Sequence, residues 1–255
     1  MSATLLDYIE KTQLTAAEIT ERTRRIYELV LRGSRHLEGG NFNTIHLDDL
    51  RLMFLLYDEM FFAGLVAKTT GENGLALRIS SRMTSSGGKT TRLVRRRDGI
   101  ASTRYEITVS SHLLFQTFRD VERPVTVSGI LCRDRLEALQ RIFEHELLHL
   151  VELLLWKVTS CSAPRFQRLA QRLFGHTKSS HDLVTTGERA LAKFRVRVGD
   201  HVSFQTNGVR YAGIVSRITK RATVLVENEA GVPYSDGKRY LKAYVPLMLL
   251  EAPDA

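Results

Sequence analysis

His145-Glu146-Leu147-Leu148-His149 sits inside the apolar run Leu139–Trp156, and its reading decides the fold. On a helix, residues four apart share a face, so His145 and His149 can present two imidazole nitrogens to one divalent metal. Glu146 follows directly, placed to accept a proton from water activated at that metal. The flanks Ile142, Phe143, Leu150, Val151, Leu153, Leu154 and Leu155 are apolar, which predicts a buried helix. Glu144, Glu146 and Glu152 on a buried helix cost desolvation energy unless they are paired or face a metal. The pattern therefore points to a metal-dependent hydrolytic centre rather than a chance match.

Working outward, the helix is expected from Asp134 to Lys157. Ser160–Pro164 reads as a turn, and Pro164 opens a further helix that stops at Gly175. Upstream, Leu75–Val109 changes to a period of two, with Leu75, Leu77 and Ile79 alternating with polar residues. Gly87-Gly88 and Asp98-Gly99 mark turns, so a small antiparallel sheet is expected. Ser110–Phe118 reads as a short helix, with Ser110 as its cap. Leu47–Phe62 is a strong helix, with Leu50, Met53, Phe54, Tyr57 and Phe61 on one face and Gly64 as its stop. The first forty residues are helical, entered through a capping box at Thr15 and Glu18. Beyond Arg195, short alternating strands broken at Asn207-Gly208 and Glu229–Gly231 suggest a small SH3-like β-barrel. The fold class is α+β, divided as an N-terminal helical segment (1–44), a main domain (45–193) and the barrel (194–255).

Composition narrows the class. The chain has 255 residues, 43% hydrophobic and 25% charged, with net charge +9. Such an excess suits contact with polyanions. Two cysteines, Cys132 and Cys161, make no disulfide framework and fit a reducing cytoplasm. No basic-then-apolar leader is read at Met1–Asp7, and the run Leu147–Trp156, interrupted by Glu152, is too short to span a bilayer. No membrane role is expected.

Several stretches resemble the SprT-like (Spartan-type) metalloproteases. They are Tyr57-Asp58-Glu59-Met60-Phe61-Phe62-Ala63-Gly64-Leu65, Arg82-Met83-Thr84-Ser85-Ser86-Gly87-Gly88-Lys89-Thr90, Ile107-Thr108-Val109-Ser110-Ser111-His112-Leu113-Leu114, and the motif itself. Together they span roughly residues 45 to 185 in the family's order. The resemblance implies a zincin-like domain with Zn2+ on the motif helix, proteolytic activity, and action on proteins attached to DNA. The C-terminal stretches from Arg217 to Val226 and from Tyr234 to Tyr240 look like a tail found on bacterial members.

The third metal ligand departs from the family pattern. Relatives of this type place a histidine just before the next helix, where this chain reads Cys161-Ser162-Ala163-Pro164-Arg165-Phe166. Ser162 stands at that place and is a poor zinc ligand. If the two helices form an antiparallel hairpin turning near Ser160, residues equidistant from the turn lie level, since each helix rises about 1.5 Å per residue. That brings His176 level with His145 and makes it the favoured third ligand, with His181 and Cys161 as alternatives.

Two basic regions stand out. Arg95, Arg96 and Arg97, near Arg82, Lys89 and Arg92, and then Lys220 and Arg221, near Lys238, Arg239 and Lys242 with Tyr234, Tyr240 and Tyr244, are candidate nucleic-acid contacts. The plainer reading is a solvated strand edge and a tyrosine-packed barrel. The expected function is a zinc-dependent endopeptidase with Glu146 as proton acceptor and His145, His149 and His176 on the metal, acting on proteins associated with DNA. The alternative is a nucleic-acid-binding module whose zinc site is structural or degenerate.

Overall fold

The computed structural model describes residues 4–71, 74–97 and 100–251. The expected turn at Asp98-Gly99 lies outside the described residues. The chain divides into two compact units, Met1–Phe118 with Arg123–Leu183, and Arg119–Glu122 with Val184–Ala255. Residues 1–44 belong to the first unit, and the second takes in Arg119–Glu122 and the chain from Val184 onward. Both units mix helices and strands, so the class is α+β.

In the first unit the helices are α1 (Leu5–Lys11), α2 (Ala16–Gly33), α3 (Leu47–Phe62), α4 (Leu65–Thr70), α5 (Ser111–Gln116), α6 (Arg135–Trp156) and α7 (Pro164–Phe174). The strands are β1 (Leu75–Ser80), β2 (Gly88–Arg97), β3 (Ile100–Ser110), β4 (Val125–Val127) and β5 (Ile130–Cys132). Local chemistry sets most boundaries. Thr15 and Glu18 form the reciprocal capping box of α2. Asp134 caps α6 and Ser110 caps α5, each accepting a backbone N–H three residues on. Pro164 opens α7 and left-handed Gly175 closes it. At the end of α3, Ala63 takes the left-handed cap and Gly64 follows in the same region.

The sheet corrects one expectation. Its order is β1-β3-β2, with β2 antiparallel to β3 but β1 parallel to it. Alternation specifies a strand and its faces, not its direction. The loop after β1 decides the matter by crossing the end of β3. There the Ser110 N–H donates to the Gly87 carbonyl (2.8 Å) and the Ser110 hydroxyl donates to the Met83 carbonyl (2.7 Å). The loop thus delivers the chain to the far side of β3, and β2 becomes a sheet edge.

Helix α6 forms the spine of this unit. It is buried over most of its length, as an apolar helix must be when it lies between other elements. Tyr57, Phe61, Phe143 and Phe174 pack together beneath it, with Tyr57–Phe61 ring centroids 5.6 Å apart and Phe61–Phe174 4.9 Å apart. Strand β2 runs beside α6, where the Thr90 hydroxyl reaches the Glu146 carbonyl at 3.0 Å.

The second unit holds α8 (Thr186–Phe194) and a four-stranded antiparallel sheet of β6 (His201–Thr206), β7 (Val209–Ile218), β8 (Ala222–Pro233) and β9 (Arg239–Val245) in chain order. Val196, Val202, Phe204, Val215, Val224 and Val245 form its core. Asp120 holds α8 through ion pairs with Arg189 and with Lys193 (2.9 Å). Among the described residues, no helix is long and apolar enough to cross a membrane.

Candidate metal centre

The motif helix delivers its two histidines to one point. His145 Nε2 and His149 Nε2 lie 3.0 Å apart. The Phe166 ring backs both imidazoles, at 4.9 Å from His145 and 4.5 Å from His149. The tautomer of His149 follows from its neighbours. The Thr159 hydroxyl donates to Glu152 Oε2 (2.7 Å), so its oxygen accepts from His149 Nδ1–H (2.6 Å). The Nε2 of His149 then carries a bare lone pair aimed at His145. Burial, followed by His149, His176 and His181 as nearby potential cations, pushes His145 down to about 3. Burial lowers His149 as well, against the opposing pull of Glu152. Both rings are therefore neutral at pH 7, the form that binds a metal. Two neutral ring nitrogens this close repel unless a proton or a cation lies between them, so the pair fits a divalent ion.

Cys161 lies beside the two histidines. Among the described residues, His145, His149 and Cys161 offer ligand atoms that all lie within 4.8 Å of one another. His176, the favoured third ligand, is elsewhere: it is buried and its Nε2 donates to Glu144 Oε2 at 2.8 Å. His181 accepts the Gly87 N–H at 2.9 Å through Nε2 and so holds the corner of the loop leading into β2. Ser162 is exposed and shares a hydrogen bond with Ser160 (2.9 Å).

Glu146 stands beside this set. Its side chain is buried, and Oε2 accepts from the Thr90 hydroxyl (2.7 Å). Burial pushes its carboxyl up to about 7, with the Thr90 hydrogen bond opposing. That is the range in which a carboxylate can both take and return a proton near neutrality. Gly88 makes room for it: a Cβ at position 88 would come 2.6 Å from Glu146 Cγ and Oε1. Gly88→Ala is therefore expected to displace Glu146 and lower any hydrolytic rate at least about tenfold, with the far-ultraviolet circular dichroism spectrum unchanged. A Gly88→Ala protein with full rate would remove Glu146 from the chemistry. Glu146 and His145 line a pocket of about 370 Å³ between the Ser85–Gly88 loop and the Ser179–His181 segment.

Two further glutamates on the helix, Glu144 and Glu152, are buried and paired. Glu144 accepts from Tyr57 Oη (2.7 Å), from Arg141 Nη1 at both oxygens (2.9 and 3.0 Å), and from His176. Burial alone would raise its pKa; Arg141, His176 and Tyr57 together outweigh that and hold it below its ordinary value. Glu152 accepts from Thr159 and from Arg165 Nε (2.7 Å), and the Arg165 guanidinium stacks 4.2 Å from the Trp156 ring. This knot fixes the turn between α6 and α7.

The sequence reading missed Thr90, Thr159 and the steric role of Gly88. Strand alternation puts Gly88 and Thr90 on one face of β2, which is the signal that could have found them. The basic residues are placed as follows. Arg95 and Arg96 are exposed near the end of β2, while the Arg97 side chain lies outside what is described. Lys220 and Arg221 are exposed at the β7–β8 turn. Of the tyrosines, Tyr240 is buried with its hydroxyl donating to Asp236 (2.8 Å), whereas Tyr244 is exposed. The chain matches no protein-family model, no curated protein and no solved structure.

Proposed function

We propose that this chain is a zinc-dependent endopeptidase of the SprT-like kind, with a zincin-like first unit and an SH3-like second unit. The observation that carries the reading is the pair of Nε2 atoms 3.0 Å apart, with the buried Glu146 beside them. His145 and His149 would hold the metal. A bound Zn2+ supplies Lewis acidity, acidifying water and polarising a carbonyl oxygen. Glu146 takes the proton of the attacking water and passes it to the departing amine. Thr90 keeps the carboxylate aimed while this happens. Strand β2, as a sheet edge next to the pocket, offers backbone groups to which an extended peptide can pair. Such pairing tolerates many side chains, so the substrates are unfolded or locally extended protein segments.

Zinc-loaded protein is expected to cleave an unfolded protein, to stop when a chelator removes the metal, and to recover when zinc is restored. Stoichiometric zinc with no cleavage of any unfolded protein, with or without DNA, would count against the peptidase.

A second reading rests on the exposed Arg95, Arg96, Lys220, Arg221 and Tyr244. Here the chain binds nucleic acid, either to recruit substrates or as its whole role. Affinity for DNA should then fall steeply with salt. A flat salt dependence in the same assays removes nucleic acid from both readings.

A further inference from the structure

We infer that Cys161 is the third metal ligand, so that the centre is a two-histidine, one-thiolate set. This rests on the reading above that a metal sits at His145 and His149. Tetrahedral zinc with Zn–N near 2.05 Å and Zn–S near 2.3 Å needs N···N separations of about 3.3 Å and N···S separations of about 3.6 Å. The Nε2 pair stands at 3.0 Å, and the sulfur lies within 4.8 Å of both nitrogens, so side-chain shifts of an ångström or so would bring the three atoms to those separations. The rival ligands have other work: His176 is bound to Glu144, His181 to the Gly87 amide, and Ser162 to Ser160.

The turn carrying Cys161 is held in place on both sides. Lys157 ends α6 in the left-handed region, Thr159 ties the turn to His149 and Glu152, and Arg165 closes it onto Glu152 and the Val158 carbonyl (3.2 Å). The thiol is free and half-buried beside the two rings. The ligand thus stands one residue before the serine at which the resemblance would place it. A thiolate also biases the site toward zinc or cobalt and away from magnesium, calcium and manganese.

Cobalt and a thiol reagent test this. Metal-free protein titrated with Co2+ should take up one ion with a near-ultraviolet sulfur-to-cobalt charge-transfer band. Cys161→Ser should lose that band, keep the wild-type circular dichroism spectrum, and bind zinc at least about tenfold more weakly. Cys161→His, which restores a ligand, should recover most of the affinity. Zinc should also slow iodoacetamide alkylation of the native protein at one thiol. Cys132 is no competitor, being buried with its thiol pushed up to about 12. In His145→Ala/His149→Ala protein the same thiol should react equally fast with or without zinc. One bound cobalt lacking the band, with Cys161→Ser matching wild type in zinc affinity, overturns this assignment while the metal reading stands. No bound metal in the wild type overturns both.

Discussion

If the chain is the zinc peptidase proposed, Glu146→Gln is expected to keep zinc bound and to lower kcat by about 10²–10⁴-fold, the usual worth of a positioned general base. The substitution is well matched to the question. Glutamine has the same shape, so the buried slot beside Gly88 stays filled and its amide oxygen still accepts from Thr90. Only the capacity to take a proton disappears. In the wild type, the acid limb of kcat/KM should fall between the ordinary carboxyl value of 4.5 and the metal-free value of about 7. The sign follows from the role. Below that pKa the carboxyl is already protonated and accepts nothing, and a nearby dication pulls it back down from 7. The variant should lack this limb. Zinc content by elemental analysis and cleavage of an unfolded protein are the two measurements. A glutamine variant that cuts at the wild-type rate with zinc bound would falsify the role given to Glu146.

Glu144→Ala destabilises the first unit by about 3–5 kcal/mol, the usual cost of breaking a buried, hydrogen-bonded charge pair from one side. Glu144 is wholly buried and gathers donors from three elements: Tyr57 on α3, Arg141 on α6, and His176 just past α7. Removing it leaves the Arg141 cation uncompensated and the Tyr57 hydroxyl without its acceptor in a dry interior. The denaturant midpoint measures the loss, and a shift worth less than about 1 kcal/mol would show that the network is dispensable. The pH dependence has a definite sign. Because Glu144 is held below its ordinary 4.5 in the folded protein, its contribution is fully present above about pH 4.5. It is lost as pH falls through the lower folded value. The alanine variant should therefore lose less stability on acidification than the wild type.

What the sequence disclosed was local. The capping box at Thr15 and Glu18, Asp134 before α6, and Pro164 with Gly175 around α7 are signals spelled within a few residues, and each falls where the element begins or ends. The convergence of His145 and His149 was equally legible, being fixed by one helical turn. Errors came where distant segments decide. His176 does lie level with the motif, as equal spacing from the turn implies: its ring meets Glu144, one residue before His145. One residue is also about 100° of rotation, so the level was right and the face was wrong. Strand β1 reads the same from its own residues whether it pairs parallel or antiparallel; only the path of the Ser81–Gly87 loop settles it. The short β4 and β5 are too brief to stand out, whereas α8 was announced by Thr185 and Glu188 and was passed over.

That crossing loop also sets a timetable. Neighbours in space, β1 and β3, are joined only after β2 has been laid down between them in the chain, so Leu75 finds Tyr105 later than hairpin partners find each other. The residues of the centre follow in the same order: Gly88 and Thr90 emerge early, the histidines much later, and Cys161 last. A ribosome must release nearly the whole first unit before His145, His149 and Cys161 can meet.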